Sequence, residues 1–409
     1  MNLFVLVWSY VRSKPLNTLL NILLVGLGIG VITVLILFKN QLGEKIGNTS
    51  KGVDLVVGAK GSPLQLILCN LFHIDFPTGN IKLADAEKLV NHRLVKNAVP
   101  LALGDSYQNY RIVGTTPAYT AIYSAQLGEG KWWTNDLEVT VGAAVAEALK
   151  LKLGAHFASS HGLSKEGHAH EEAEYKVVGI LKPTGSVIDN LILTNVASIW
   201  KVHEESGDSI VMASRFSKLL QANVANDSTR EITSLLIKYK NPMAAIQLPR
   251  MINSQTNMQA ASPAFETARL YSIMGVGTDV LMGFAYVLIF ISGLSIFIAL
   301  YNSLNERQYD LAIMRSMGAS RAKLVWSVIM EGITLTLFGA LLGLALGHLV
   351  LWVFTTWIPE GAKGGFTGAV WYAEELLVLL GSLLLGVLCS LLPAWRAYRT
   401  DIHQVLAGG

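Results

Sequence analysis

The residues best suited to chemistry gather in one short stretch. His156, His161, His168 and His170 fall within 15 residues, although the whole chain has only 9 histidines. A uniform spread would place roughly a third of one histidine there. Glu166, Glu171, Glu172 and Glu174 surround them. Imidazole nitrogens and carboxylate oxygens together suit Zn²⁺ or a similar ion, so His156, His161, His168, His170 and Glu171 are candidate ligands. His168-Ala169-His170-Glu171-Glu172 is too closely spaced for a structural zinc finger, and Gly162 and Gly167 make the stretch a loop. Two readings stand open: a low-rigidity capture or sensing site for a transition metal, and an exposed polar insertion that meets metal only incidentally.

Other chemistry lacks its residues. No G-x-x-x-x-G-K-[ST] occurs, and Gly128-Glu129-Gly130-Lys131 has neither the spacing nor the hydroxyl that would hold Mg²⁺. No G-x-S-x-G elbow is present, and Cys69 has no motif around it. Cys69 and Cys389 lie far apart, the second inside an apolar run, so a disulfide framework is not expected. Trp132-Trp133 reads as core packing before it reads as a partner-binding patch.

Composition says what must position these residues. The chain has 409 residues, of which 52% are hydrophobic and 15% charged. Soluble chains carry about 25% charged residues. A disordered chain, a coiled coil and an ordinary cytosolic enzyme are therefore excluded. A net charge of +3 gives no sign of nucleic-acid binding. A membrane-spanning helix needs about 20 mostly apolar residues. Four stretches qualify, at 16–38, 280–300, 324–357 and 376–393. The first is too long for a typical signal peptide and no cleavage site follows it, so it reads as a retained anchor. Arg12 and Lys14, then Arg307, Arg315, Arg321 and Lys323, then Arg396 and Arg399 all fall on one side of the spans. The positive-inside rule puts them, both termini included, in the cytoplasm.

Residues 39–279 then lie outside, about 240 residues that can bury their own core. Short β-rich runs (54–57, 138–141, 175–180, 190–193 and 235–239) interleave with helical patterns at 83–94 and 143–151. The alternation reads as α+β in two lobes, the second near 205–235. Met251 to Ser272 reads as a helical stalk leading into the second span. The loop at 358–375 is external, and 1–15 and 394–409 are cytoplasmic.

The segment 301–323 is the most informative. In Leu304, Leu311, Ile313, Met314 and Met317 it has an apolar face, broken by Glu306, Arg307, Asp310 and Arg315, and Gly318 reads as its C-cap. An amphipathic helix at a membrane surface lies on lipid or enters a partner's groove. The run Asn302-x-x-x-Glu306-Arg307-x-x-Asp310-Leu311-x-Ile313-Met314-Arg315-Ser316-Met317-Gly318 resembles the FtsX-type permease signature of the MacB/LolCDE class of ABC transporters. Asp310 and Ser316 stand where many members have Glu and Ala. The ending Pro393-Ala394-x-x-Ala397 to Leu406 is also similar, with Ile402 in place of the usual Pro.

The resemblance implies a MacB-like fold: four transmembrane helices with an α+β periplasmic domain between spans one and two. It implies a permease subunit without catalysis of its own, whose ATP and Mg²⁺ sit on a partner ATPase present in two copies. A second permease copy or paralogue, and a periplasmic adaptor or substrate-binding protein, are the further partners. Glu306, Arg307, Asp310, Leu311, Met314, Arg315 and Gly318 become ATPase-coupling residues. Coupling would transmit mechanical movement for substrate export or extraction. Two alternatives are zinc or haem transport using the histidine-rich loop, and regulation of a periplasmic hydrolase. Gly339, Gly343 and Gly347, with Gly26, Gly28 and Gly30, let helix backbones approach closely, either across a dimer or within the chain. His348 lines a path or sits at a bundle interface, and Glu331 reaches toward the headgroups.

Overall fold

A computed structural model describes residues 8, 9, 12, 14–161, 169–203, 230–357 and 366–399. It begins with a 36-residue helix, α1 (Pro15–Ser50). A mixed segment follows: β1 (Leu55–Ala59), α2 (Pro63–Asn70), β2 (Ile81–Lys82), α3 (Leu83–Val90), β3 (Val95–Tyr107), β4 (Tyr110–Thr115), α4 (Pro117–Ile122), β5 (Leu127–Gly130), β6 (Glu138–Val141) and α5 (Ala143–Leu149). It continues with β7 (His156–His161), β8 (Ala169–Leu181), β9 (Leu191–Asn195), α6 (Val196–His203), β10 (Glu231–Ile232), β11 (Ser234–Tyr239), α7 (Ala244–Gln255) and β12 (Met258–Ala261). Long helices then return as α8 (Pro263–Glu306), the short α9 (Gln308–Ser316), α10 (Arg321–Trp357) and α11 (Ala373–Arg399). Two compact units result, a helical one (Met1–Leu42 with Met274–Gly409) and a sheet one (Gly43–Ile273).

In the helical unit α1, α8, α10 and α11 are each long and apolar enough to cross a membrane. Such helices satisfy every backbone group internally, which lipid demands. The helices outrun the apolar stretches. α1 continues past Phe38 to Ser50 through Lys39, Gln41, Leu42, Glu44 and Lys45, polar or long-chained residues that still favour helix. The stalk expected over 251–272 is not one helix. α7 ends at Gln255, β12 intervenes, and α8 starts at Pro263, where a missing N–H costs nothing.

Glycines set how near the helices come. A Cβ at Gly339 would lie 2.7 Å from Val25, one at Gly343 would lie 2.7 Å from both the Gly26 carbonyl and Ile29, and one at Gly347 would lie 2.6 Å from Thr33. Gly26 and Gly30 of the first stripe therefore face the second within the chain, while Gly28 faces Ile289 of α8. α10 and α11 meet as closely, with a Cβ at Gly332 falling 2.7 Å from the Gly386 carbonyl. Close backbone approach replaces the hydrophobic effect, which lipid removes as a force between helices.

The sheet unit carries a ten-stranded sheet in the order β12-β1-β11-β3-β4-β9-β6-β8-β5, with β7 pairing both β3 and β8. Pairing is antiparallel except for β4 with β9 and β6 with β8. Alternation sends Leu55 and Val57 to one face and Val56 to the other. The first face packs under α3, α5, α6 and α7, through Leu89, Val145, Ile199 and Leu248 among others. The second packs under α2 and α4, through Leu66, Ile67 and Tyr119. Covering on both faces explains why β9 is buried at every residue. Trp133 is 2% exposed in the second cluster, so it is a core residue. Among the described residues β3 joins the halves of the sheet: residues 95–101 pair with β11 and residues 102–107 with β4. Most of the window 205–235 lies outside the described residues, and the part described after it begins the strands β10 and β11.

The glycine contacts give a direct test. Gly343→Ala should lower the melting temperature of the detergent-solubilised protein, at a cost of about 1–3 kcal/mol from overpacking. Gly381→Ala, where an added Cβ meets nothing within 4 Å, should leave it unchanged or slightly raised.

Candidate functional site

The turn between α8 and α10 is built around α9. α8 ends at Glu306, Arg307 adopts φ −103 and ψ 11, and α9 begins at Gln308 with Asp310 in its first turn and Arg315 in its last. Those charges suit the helix dipole. At the far end the Ala319 amide donates to the Met314 carbonyl and the Gly318 amide to the Arg315 carbonyl, each at 3.0 Å. This paired closure needs the left-handed backbone that Gly318 supplies at φ +93.

The apolar face read from the sequence divides in two. Leu311 is 4% exposed and packs with Leu304, Leu324, Val328, Ala394 and Ala397, and Met314 packs against the same cluster. Leu311 and Met314 therefore anchor α9 on its own chain rather than standing ready for a partner. The opposite stripe is free: Tyr309, Ile313 and Met317 are exposed, Met317 at 82%. Sequence spacing missed the division because residues 311 and 314 centre about 110° from 313 and 317 round the helix and both sides are apolar, so apolarity alone does not say which is buried.

Buried charge fixes this turn to the bundle. Arg307 and Glu331 approach to 3.5 Å, each side chain 13% exposed. Glu331 thus pairs with Arg307 instead of reaching toward headgroups. Further along α10, His348 faces two oxygens. Its Nδ1 lies 2.6 Å from the Gly368 carbonyl and its Nε2 lies 2.8 Å from Glu375 Oε2. Glu375 Oε1 accepts the Tyr372 amide, and the Trp371 ring stacks on the imidazole at 4.2 Å. The Gln41 side chain adds two bonds of 2.8 Å to the backbone of Thr367. His348 is therefore an interface residue that holds a connecting segment. Its partner Glu375 carried no sequence signal, since 27 residues separate them.

The histidine-rich stretch lies on the hairpin of β7 and β8, where His156 pairs in register with Lys176. His156 Nδ1 lies 3.4 Å from Glu174. His168 is outside the described residues, as are the side chains of His161, His170 and Glu171. Among the described residues no group of three or more His, Cys, Asp or Glu side chains converges as metal ligands would.

One polar cluster went unseen in the sequence. In the sheet unit, buried Arg111 donates to Cys69 Sγ at 3.3 Å and to the Asp75 carbonyl at 2.8 Å. His73, in a left-handed backbone conformation at φ 56, sets Nε2 2.9 Å from the Tyr119 hydroxyl. Burial, then the Arg111 charge, pushes the His73 value down from 6.5 to about 3. Burial likewise pushes the Cys69 thiol up against the pull of Arg111. Both groups are neutral near pH 7, so the cluster offers neither a thiolate nor a base of useful strength.

The architecture is that of a multi-pass membrane protein with a large mixed domain between its first and second spans. Residues 18–247 match the profile of the MacB-like periplasmic core domain, and residues 282–402 match the FtsX-like permease C-terminal profile. The chain belongs to the FtsX/MacB/LolCDE-type family of ABC transporter permeases. Relatives include the macrolide export ATP-binding/permease protein MacB of Shewanella oneidensis, 20% identical over 76% of this chain and 46% of the relative. The lipoprotein-releasing system transmembrane protein LolE of Haemophilus influenzae is 26% identical over 43% of this chain and 46% of its own. An uncharacterised ABC transporter permease of Methanocaldococcus jannaschii is 28% identical over 34% of each. The chain thus spans less than half the length of these relatives. The crystal structure of the periplasmic region of MacB from Actinobacillus actinomycetemcomitans aligns with a TM-score of 0.35 and 12% identity, over 56% of this chain and 96% of that one.

Two outcomes follow from the buried groups. Arg307→Ala should destabilise the helical unit by about 3 kcal/mol, because Glu331 stays buried without it. Arg307→Met with Glu331→Leu should recover most of that loss, as thermal unfolding in detergent would show. For His73, the unfolded chain binds a proton below pH 6.5 that the folded chain refuses until about pH 3. Its contribution is complete above pH 6.5 and falls as the pH drops, by on the order of 5 kcal/mol across the window. His73→Gln should remove that component, so comparing unfolding at pH 7 and pH 4 reports it.

Proposed function

We propose that this chain is the transmembrane subunit through which an ATPase module drives movement of an extracytoplasmic domain. The ATPase lies outside these 409 residues. The observation that carries the reading is the two-sided α9. One side is fixed to α10 and α11 by Leu311, Met314 and the Arg307–Glu331 pair, and the other presents Tyr309, Ile313 and Met317. A short helix with an anchored face and an open apolar stripe suits insertion into a partner's groove. The coupling residues divide accordingly. Leu311, Met314, Arg307 and Gly318 hold α9 in place, while Tyr309, Ile313, Met317 and the exposed Asp310 meet the ATPase.

ATP-driven closure of two ATPase copies would displace α9, and its anchors would pass that displacement to the bundle. α1 and α8 each continue as unbroken helix well beyond their apolar stretch, which supports transmission along stiff rods. The basic residues beside the spans support a cytoplasmic position for α9 and both ends of the chain. A second copy or a paralogue completes the assembly. The chain's own part is mechanical and non-catalytic, and substrate is exported or extracted at the outer face.

The test replaces the free stripe and leaves the anchor. Ile313→Asp with Met317→Asp, in the chain co-expressed with its ATPase, should reduce stimulated ATP hydrolysis at least about tenfold without lowering the melting temperature. Unchanged stimulation would sink the proposal.

A further inference from the structure

The sheet unit contains an open cleft of about 800 Å³ with an unusual charge. Arg93, Lys96, Lys238 and Lys240 line it, and no Asp or Glu does. All four cations are exposed, and none makes an ion pair among the described residues. The acid nearest in sequence to the lining, Asp54, follows Val53, and its Oδ2 accepts the amide of Tyr239, between Lys238 and Lys240, at 2.7 Å, so one carboxylate stands beside the lysine pair against four cations in the lining. Four like charges in one cleft repel one another, and the folded chain supplies no counter-charge in the lining.

The backbone contributes to this arrangement. Asn97 pairs with Lys238 and Val95 with Tyr239, so the register shifts and Lys96 has no partner across the ladder. A bulge of this kind re-aims a side chain, and such features concentrate beside binding sites. Here the extra residue is itself a cation. His92 accepts the Leu94 amide on Nδ1 at 3.3 Å, which leaves Nε2 as a further ring donor in the neutral imidazole. The rest of the wall mixes Asn91 and Asn97 with apolar residues; Val53 and Leu236 are buried, and Ala118, Ala121 and Ile122 form its accessible apolar edge. A volume of about 800 Å³ falls in the range of small-molecule sites, roughly 300–1,000 Å³.

We infer that this cleft binds a phosphate-bearing amphiphile, with the phosphate among Arg93, Lys96, Lys238 and Lys240 and the apolar body along the wall. Phosphate fits because it offers several charged oxygens to several donors, and an arginine fork matches its geometry. A lone phosphate would leave the accessible apolar edge of Ala118, Ala121 and Ile122 uncovered. The site is independent of the coupling role of α9, since it involves other residues in the other unit.

The experiment uses the full chain in nanodiscs of zwitterionic phosphatidylcholine, with empty discs subtracted. Calorimetric titration compares dihexanoyl phosphatidate, dihexanoyl phosphatidylcholine and inorganic phosphate. The phosphatidate should bind at least about tenfold tighter than either of the others. Lys96→Gln with Lys238→Gln and Lys240→Gln should remove that preference, while Lys152→Gln, outside the cleft, should keep it. The single exposed Lys96→Gln should weaken binding in the same direction should the triple variant fold poorly. Equal binding of the zwitterion, or unaltered binding by the variants, would overturn the site. Inorganic phosphate binding as tightly as the phosphatidate would overturn the amphiphile in favour of a free anion.

Discussion

Between α1 and α10 there is no room for a methyl group at three successive turns. Val25, the Gly26 carbonyl, Ile29 and Thr33 occupy the space that side chains at 339, 343 and 347 would need. In lipid no hydrophobic force draws helices together, so contact between close surfaces must do it. The Gly332–Gly386 approach repeats the device between α10 and α11. α10 is thereby fixed on two sides. The other features of the helical unit depend on that fixity, because α10 also carries Leu324, Val328, Glu331 and His348.

Two polar pairs sit along α10, and each ties a short connecting segment to it. Arg307–Glu331 holds the turn that contains α9, and His348–Glu375 holds the segment entering α11. A buried pair repays little in net stability after both charges lose water. What such pairs do well is specify position, and here both sit where the chain leaves a long helix. Close-packed apolar surfaces can slide by a residue or a turn. A bonded charge cannot do so without being stranded.

Much of the fold was legible in the sequence, and the gaps have physical causes. The four spans stood out because lipid imposes one composition over a fixed length. β1, β6, β9 and β11 were visible as short branched apolar runs. β3 and β4 were not, since Pro100 and Gly104 interrupt the first and Tyr107 to Tyr110 resembles a turn. The helix ends were misjudged wherever helix outlives apolarity, as in α1 beyond Phe38. Gly339, Gly343 and Gly347 were recognised as packing positions, while the surface they meet needed coordinates. At α9 the residues were found and their sides were not, because Leu311 and Ile313 are equally apolar. His348 drew attention alone, and the cluster of Cys69, His73 and Arg111 drew none, since its members come from separate elements.

The strand β3 has one further consequence. Its first half belongs to the ladder with β11 and its second to the ladders with β4 and β7. No opening of either half of the sheet can proceed without disturbing bonds made by the same strand. Local fluctuations that release a peripheral strand such as β5 or β12 leave β3 intact. Its amides should therefore exchange with solvent only when the sheet unit unfolds as a whole. The unit would then behave as one cooperative body, and a force applied at either end of the sheet would be borne by the other.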